Sequence, residues 1–389
     1  MLRSPARRGA AVLLSAAVLT TLSACGAAPD QPAGSAAADG KNKVQPGAAA
    51  SVADFAGPAG LVAAAEKEGA LNVIALPPDW ANYGAIVKAF QAKYPKIKVS
   101  SENPDASSSD EIAAVKSRKG QKRAPDVLDL GIAFARSGAA ENLFAPYKVT
   151  AWDKIPDSQK DADGRWYNDY GGYVSIGCDA ARIPNCPTSF ADLAKPEYKG
   201  KVALNGNPTK SGSAFGGVYA AALANKGSFA DIQPGIDFFG QLKKSGNFIP
   251  VESTPATVEK GETPISIDWD YLNAGYAEQF KGKGVDWKVA VPTDGVYAQF
   301  YSQAINKEAP NPAAARLWME FLYSAEGQNL WLAGHARPVL LPAMTQDGTV
   351  DKAAVTKLPQ VTGTPSFPAS TELDKAKATL AEKWDKALS

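Results

Sequence analysis

Two carboxylates and two aromatic rings fall within four consecutive residues, Asp268-Trp269-Asp270-Tyr271, directly after the apolar run Ile265-Ser-Ile267. This set suits a cationic nitrogen. A carboxylate supplies charge-assisted hydrogen bonds, and an aromatic face adds about 0.5 to 2 kcal/mol of cation–π attraction, depending on desolvation. The same residues can instead serve locally, with Asp270 capping a helix and Trp269 in the core. A second segment, Asn207-Pro-Thr-Lys-Ser-Gly-Ser213, stands before an Ala-rich stretch at 214–224. Thr209, Ser211, Gly212 and Ser213 would gather hydroxyls and free backbone N–H groups at a helix start, with Lys210 beside them. That is an anion site, or else a plain N-cap by Ser213. A third segment, Pro77-Pro-Asp-Trp-Ala-Asn-Tyr83, offers Trp80 and Tyr83 as walls and Asp79 or Asn82 as hydrogen-bonding groups. The alternative there is core packing of one ring. Asn103 and Phe134 are weaker candidates, placed only by expected geometry. Catalytic sets are poorly served. His335 is the single histidine, and no Gly-x-Ser-x-Gly elbow occurs. Asp268 and Asp270 sit too close along one loop to flank a scissile glycosidic bond. An enzyme is therefore not expected.

Those segments need strands and helices to aim them. Residues 61–69 read as an amphipathic helix closed by a glycine, and 71–76 as a short apolar strand. Ile86, Val87, Phe90 and Tyr94 then recur at helical spacing, before Pro95 and the strand-like Ile97-Lys-Val99. Asp126-Val-Leu-Asp-Leu130 is another strand, ending at Gly131. Strand–helix alternation implies an open parallel sheet flanked by helices, with ligands outside the carboxyl ends of the strands. The loops after Leu76 and Leu130 then share one crevice. Tyr170 to Cys178 reads as a strand leaving this lobe. Lys201–Leu204, a helix over 214–224, Ile265–Asp268 and the return strand Trp287–Pro292 make a second α/β region. Helical segments at 312–323 and 325–333 complete the first. The expected fold class is α/β, with two lobes, two open mostly parallel sheets and two crossover strands. Such a hinge is suited to closing on a ligand. Lobe 1 is expected to comprise 58–170 plus 293–389, and lobe 2 to comprise 171–292.

At the N-terminus, basic Arg3, Arg7 and Arg8 precede an apolar stretch from Ala10 to Leu22 and the run Leu22-Ser-Ala-Cys25. That layout is a secretory signal over residues 1–24, too short to span a bilayer permanently. Leu22-Ser-Ala-Cys25 also resembles the lipobox of bacterial lipoproteins, which implies a lipidated Cys25. Residues 26–57, mostly Ala, Gly, Pro, Ser and Asp, read as a flexible linker, so 25–57 is expected to be the lipidated cysteine and linker. Removing 1–24 takes away three arginines and leaves 38 basic against 40 acidic residues. This near-neutral balance argues against a nucleic-acid partner and leaves small solutes. Cys178 and Cys186 are the only other cysteines and should pair outside the cytoplasm. With a single histidine, a zinc site lacks ligands, and neither metal nor cofactor is expected.

Several motifs in order carry a family resemblance over about residues 60 to 345. They are Phe90-Gln-Ala-Lys-Tyr-Pro-Lys-Ile-Lys-Val99, the run from Pro187 through Ser189-Phe-Ala-Asp-Leu-Ala-Lys-Pro-Glu-Tyr-Lys-Gly-Lys-Val202, and Pro312 to Gln328 with its Arg316-Leu-Trp-Met-Glu-Phe-Leu-Tyr-Ser324 centre. Behind a Leu-Ser-Ala-Cys lipobox, they resemble type II extracellular solute-binding lipoproteins of ABC importers, in the group that takes polyamines, ferric iron or 2-aminoethylphosphonate. The resemblance implies capture of a small charged solute between the lobes and delivery to permease subunits. It also implies anchorage by lipidated Cys25 to the outer face of the cell membrane. A monomer is expected. Iron binders of the group carry an adjacent tyrosine pair, and this chain has no Tyr-Tyr dipeptide. Polyamine binders place acidic residues on the loop opening the second lobe's helix, where this chain has Asn207 to Ser213. The combination ranks an aminoalkylphosphonate-like solute ahead of a polyamine, with iron third and a lipid-anchored hydrolase the weaker alternative.

Overall fold

The computed structural model describes residues 44–362 and 367–389. The expected signal segment and the Cys25 acceptor lie outside the described residues. In chain order the elements are α1 (Pro58–Glu68), β1 (Ala70–Ile74), α2 (Tyr83–Lys93), β2 (Lys98–Glu102), α3 (Ser108–Ser117), β3 (Val127–Gly131), α4 (Ile132–Ala140), β4 (Phe144–Ala145) and β5 (Tyr167–Asp179). There follow β6 (Val202–Leu204), α5 (Gly212–Ala224), α6 (Gln233–Ser245), α7 (Pro255–Glu259), β7 (Ile265–Trp269), α8 (Asp270–Gln279) and β8 (Trp287–Ala290). The chain then runs through β9 (Ala298–Asn306), α9 (Pro312–Leu322), α10 (Ala325–Ala333), β10 (Arg337–Pro338), α11 (Leu341–Asp347), α12 (Lys352–Val355) and α13 (Ser370–Leu388).

Local chemistry sets many of these boundaries. Pro58 opens α1 at N1 and Gly69, at φ +71, closes it in the left-handed conformation. Ser107 and Asp110 form a capping box on α3. Ser211 caps α5 by accepting from the Ala214 N–H.

One strand joins the two lobes. β5 is buried along all 13 residues. Its first part, through Tyr173, runs antiparallel to β9, whereas from Val174 onward it pairs with β7 and β8. At the changeover, Gly171 lies against the backbone of Gln299 and Gly172 against the Asp270 carboxylate, so neither position has room for a Cβ. The chain returns through the segment between β8 and β9. β3, β4 and β10 complete the first lobe's part of the sheet, and β6 the second's. β1 and β2 form a separate parallel pair. Asp126 couples that pair to β3. Its N–H donates to the Asn72 carbonyl and its carboxylate accepts the Asn72 N–H at 2.6 Å.

The two-lobed α/β architecture and its crossovers follow the sequence reading, with three differences. Among the described residues, the strands pair in parallel only as β1–β2 and β6–β7, apart from isolated parallel bridges at Ser51–Lys148 and Val202–Phe248, because the long crossover β5 and the return strand β9 run against their neighbours. Residues 46–57, expected within the linker, are instead held on the body as two short 3-10 turns. The buried Arg316 guanidinium donates to the carbonyls of Ala49 and Gly47, which supply acceptors a buried cation requires. Finally, α13, expected with the first lobe, packs its Trp384 ring on Phe239 and Phe248 of the second. The Cys178–Cys186 disulfide is formed, with Cα atoms 5.8 Å apart.

Candidate functional site

A cavity of about 360 Å³ opens between the lobes. On one side it is lined by the segment after β1 (Ala75, Pro77, Asp79, Trp80), by residues at and before the start of α3 (Asp105 to Ser108, Asp110 and Glu111) and by Asp129 in the middle of β3. Facing these are the β6–α5 loop from Asn205 to Gly212, Glu252 to Pro255 ahead of α7, and Tyr276 of α8, while Tyr301 of β9 closes the floor. The sites therefore lie outside strand carboxyl ends, as open α/β sheets arrange them. The lobes touch beside the cavity, since a Cβ built on Gly131 would lie 3.1 Å from the Gly212 Cα.

Several lining groups are held from behind. Trp80 donates its indole N–H to the Tyr170 hydroxyl at 2.7 Å and meets the Tyr301 ring edge-on with centroids 5.6 Å apart. Tyr170 in turn donates to the Asp129 carboxylate at 2.7 Å, and Gln303 donates to its other oxygen at 3.2 Å. Glu111 accepts the Asp129 N–H at 3.0 Å, and the Ser108 hydroxyl accepts the Gly131 N–H at 3.1 Å. Across the cleft, Asn205 donates to Asp268 at 2.7 Å, and the Ser211 hydroxyl donates to the Asn205 carbonyl at 2.9 Å.

The lining is strongly acidic: Asp79, Asp105, Asp110, Glu111, Asp129 and Glu252 face one ammonium, Lys210. These carboxyls differ in proton affinity. Hydrogen bonds from the Ser107 hydroxyl and N–H, with the Lys210 charge across the cleft, hold Asp110 below its ordinary value. Burial pushes Asp129 up to about 7. Burial and the neighbouring Asp129 push Glu111 well above the carboxylate range. Burial, with Asp105 opposite, raises Glu252. The starts of α3 and α5 both open on the same space, which sets the positive ends of two helix dipoles beside the carboxyls.

Of the residues singled out in the sequence, Asp79, Trp80, Lys210, Ser211 and Gly212 line the cavity. The others lie behind or beside it. Asn82 sits at φ +69 ahead of α2 and donates to the Leu330 carbonyl at 2.8 Å. Tyr83 is fully buried and accepts from Gln303 at 3.0 Å. Phe134 is buried under the Lys377 ammonium, 4.0 Å from its ring centroid. Thr209 turns its N–H and hydroxyl onto the Asn207 side chain. Ser213 donates to Asp268, which also accepts the Trp269 N–H and is raised to about 6 by burial. Asp270 is buried against Arg337 and accepts the Tyr173 N–H. Trp269 and Tyr271 are core rings, and Asn103 lies outside the lining. The sequence reading passed over Asp105 to Glu111, Asp129, Glu252 and Tyr276, and reached Tyr301 only as the nearest substitute, with Tyr297, for an iron binder's tyrosine pair. Two of these left a trace: a charged residue inside the apolar run Val127-Leu-Asp-Leu130, and the Ser107-Ser-Ser-Asp110 capping pattern.

Residues 122–360 match the model of a family described as bacterial extracellular solute-binding protein. The chain belongs to this family. As a solute-binding protein, it is 27% identical over 266 residues to an uncharacterized protein of Haemophilus influenzae, covering 65% of this chain and 73% of that one. Solved structures share its fold. The periplasmic binding protein P5PA aligns with a TM-score of 0.67 at 18% identity, over 82% of this chain and all of that one (100%). AfuA from Actinobacillus pleuropneumoniae, with exogenous fructose-6-phosphate bound, gives 0.63 at 21%, over 82% and 98%. Iron-bound HitA from Pseudomonas aeruginosa gives 0.58 at 20%, over 81% and 98%. Among the described residues, no group of three or more His, Cys, Asp or Glu is arranged to hold a metal ion, and no helix is long and apolar enough to cross a membrane.

Proposed function

We propose that this solute-binding protein captures a small organic solute bearing a cationic nitrogen and delivers it to an ABC importer. The observation that carries the reading is the interlobe cavity, where six carboxyl groups and the Trp80 and Tyr301 rings surround the space against a single lysine. Carboxylates and aromatic faces are the partners an ammonium recruits, and a cation beside the buried Asp129 and Glu111 would itself favour their ionised forms, whereas an uncompensated anion would favour their protonated forms and meet repulsion from the carboxylates that remain. An aminoalkylphosphonate-like zwitterion ranks first, because Lys210 and the starts of α3 and α5 open on the same cavity and would take its anionic end. A polyamine is the second reading, favoured by the acidic excess. Asp79, Trp80, Ser211 and Gly212 are the ligand contacts retained from the sequence, joined by Asp105, Glu111, Asp129, Glu252 and Tyr301. The remaining sequence candidates act as the layer that holds them.

Mass spectrometry of solute released from gently purified protein tests the reading. A compound with a protonatable nitrogen supports it; a solute with none sinks the ammonium site while leaving the binding role standing. The lipid anchor is a further part of the proposal. Cys25→Ser should abolish lipid labelling and move the protein out of the membrane fraction, and unchanged labelling would remove the anchor.

A further inference from the structure

The last helix touches both lobes. Leu373, Ala376, Leu380 and Trp384 recur at spacings of three and four along α13 and are all buried, so one apolar stripe runs down its length. Nineteen helical residues extend about 28 Å, enough to straddle the interlobe boundary. The two ends of that stripe meet different partners. Toward the end of the helix, Trp384 meets Phe239 of α6 and Phe248 edge-on, at centroid distances of 5.6 and 6.2 Å. Lys383 donates to Gln233 at 2.8 Å, and the backbone of Ala387 fills the space beside Gly240. These contacts belong to the second lobe. Nearer its start, Lys377 donates to the Ser137 hydroxyl of α4 at 3.1 Å and lies over the Phe134 ring, while Asp374 adds an attractive charge toward Arg136. These contacts belong to the first, while Lys375 beside them donates to the Ala230 carbonyl of the second at 3.1 Å.

We propose that α13 is a brace that holds the two lobes in the closed arrangement and biases the empty protein toward closure. α4 begins at the residue after Gly131, and Gly131 lies against Gly212 at the start of α5. Any rotation that parts these two glycines carries α4 away from α5 and from α6, which packs beside it. A single straight helix cannot follow both, so opening must break either the Lys377 end or the Trp384 end. The Lys377 end is the weaker, resting on one cation over one ring, one hydrogen bond and the Asp374 charge toward Arg136, whereas the Trp384 end is an aromatic cluster. The brace thus contributes its first-lobe contacts only while the cleft is shut. A receptor whose closed form is already populated loses less affinity to the cost of closing. This inference rests on the two-lobed hinge and not on the identity of the solute.

Electron–electron distance measurement on the solute-free full chain tests it, with nitroxide labels at Ser117→Cys and Lys260→Cys, exposed positions on opposite lobes. The background protein should give one dominant distance. Lys377→Ala should shift the ratio of long to short distances by about tenfold toward long, the scale of a lost cation–π contact plus one hydrogen bond. Lys377→Arg, which keeps a cation over Phe134, should restore the short distance. Trp384→Ala, releasing the other end, should open the protein as well, with circular dichroism reporting whether α13 remains helical. Distributions unchanged in both Lys377→Ala and Trp384→Ala overturn the brace, as does a background protein already dominated by the long distance. Because no solute is present, an error in the solute class leaves the measurement untouched.

Discussion

The hydroxyl of Tyr170 accepts from the indole of Trp80 and donates to the carboxylate of Asp129, each at 2.7 Å. One hydroxyl on the crossover strand thereby fixes both an aromatic wall and a buried acid of the cavity. The chain of donors sets the rotamer of Trp80 before any solute arrives. Trp80→Phe keeps a ring but removes the donor, whereas Trp80→Ala removes the wall. Calorimetry with the released solute should show affinity falling about three- to tenfold for the first change and tenfold or more for the second, from the sizes of a net hydrogen bond and a desolvated cation–π contact. Equal affinity in all three proteins would exclude Trp80 from the binding surface.

Stability should fall as pH rises through the acidic range. Burial pushes Asp129 up to about 7 and raises the neighbouring Asp169 and Glu111 well above ordinary carboxyl values. A raised folded-state pKa means that above about pH 4 the unfolded chain ionises while the native carboxyl stays protonated. The native state then binds more protons, so stability declines from about pH 4 until the native group titrates near 7. Asp129→Asn removes one such group. Urea titrations should therefore show the wild-type protein losing stability relative to Asp129→Asn between pH 4.5 and 7.5, by up to a few kcal/mol. A difference that is flat with pH, or that grows in the opposite direction, contradicts the buried protonated acid.

Asp270 and Arg337 form a buried pair linking α8 in the second lobe to β10 in the first. Arg337 also donates to the Pro359 carbonyl at 2.8 Å and lies over the Tyr173 ring. Removing one partner strands the other in a low-dielectric site, at a cost of about 3 to 5 kcal/mol. Asp270→Asn and Arg337→Met should each lower the melting temperature. The double change should destabilise less than the two single effects added. Strict additivity in the thermal melts would show that the two side chains are not energetically paired.

The architecture was legible because apolar runs, glycine stops and proline starts are local signals. The strands expected at 71–76, 126–130 and 265–268 appear as β1, β3 and β7, the first ending two residues early at Ile74, and Gly69 closes a helix. Burial direction was less legible. Asp268 and Asp270 have the composition of a ligand site, but β7 ends inside the protein, so their carboxylates meet Ser213, Asn205, Arg337 and Tyr173. Position 268 and position 129 look alike in a sequence, each an aspartate within an apolar strand segment. Only the fold shows that Asp129 itself lines the gap while Asp268 is covered by Ser213 at the start of α5. Glu252 left no sequence signal, since it stands in an irregular segment whose place depends on packing far along the chain.

Lys210 and Glu252 separate the two solute readings, because they are opposite charges lining the same side of the cavity. A zwitterion with a phosphonate needs the cation, whereas a polyamine is repelled by it. Lys210→Ala should therefore weaken 2-aminoethylphosphonate by about tenfold, the scale of one hydrogen bond to a charged group. The same change should leave putrescine unaffected or bound more tightly, since a like charge has gone. Glu252→Gln should weaken either solute if its ammonium lies on that side of the cavity. Calorimetry at pH 7.5 reads both proteins against both compounds. Tighter putrescine binding in Lys210→Ala, with no measurable 2-aminoethylphosphonate binding in the parent, would hand the site to the polyamine. Loss of 2-aminoethylphosphonate alone would assign the anionic end of the solute to Lys210 and the start of α5.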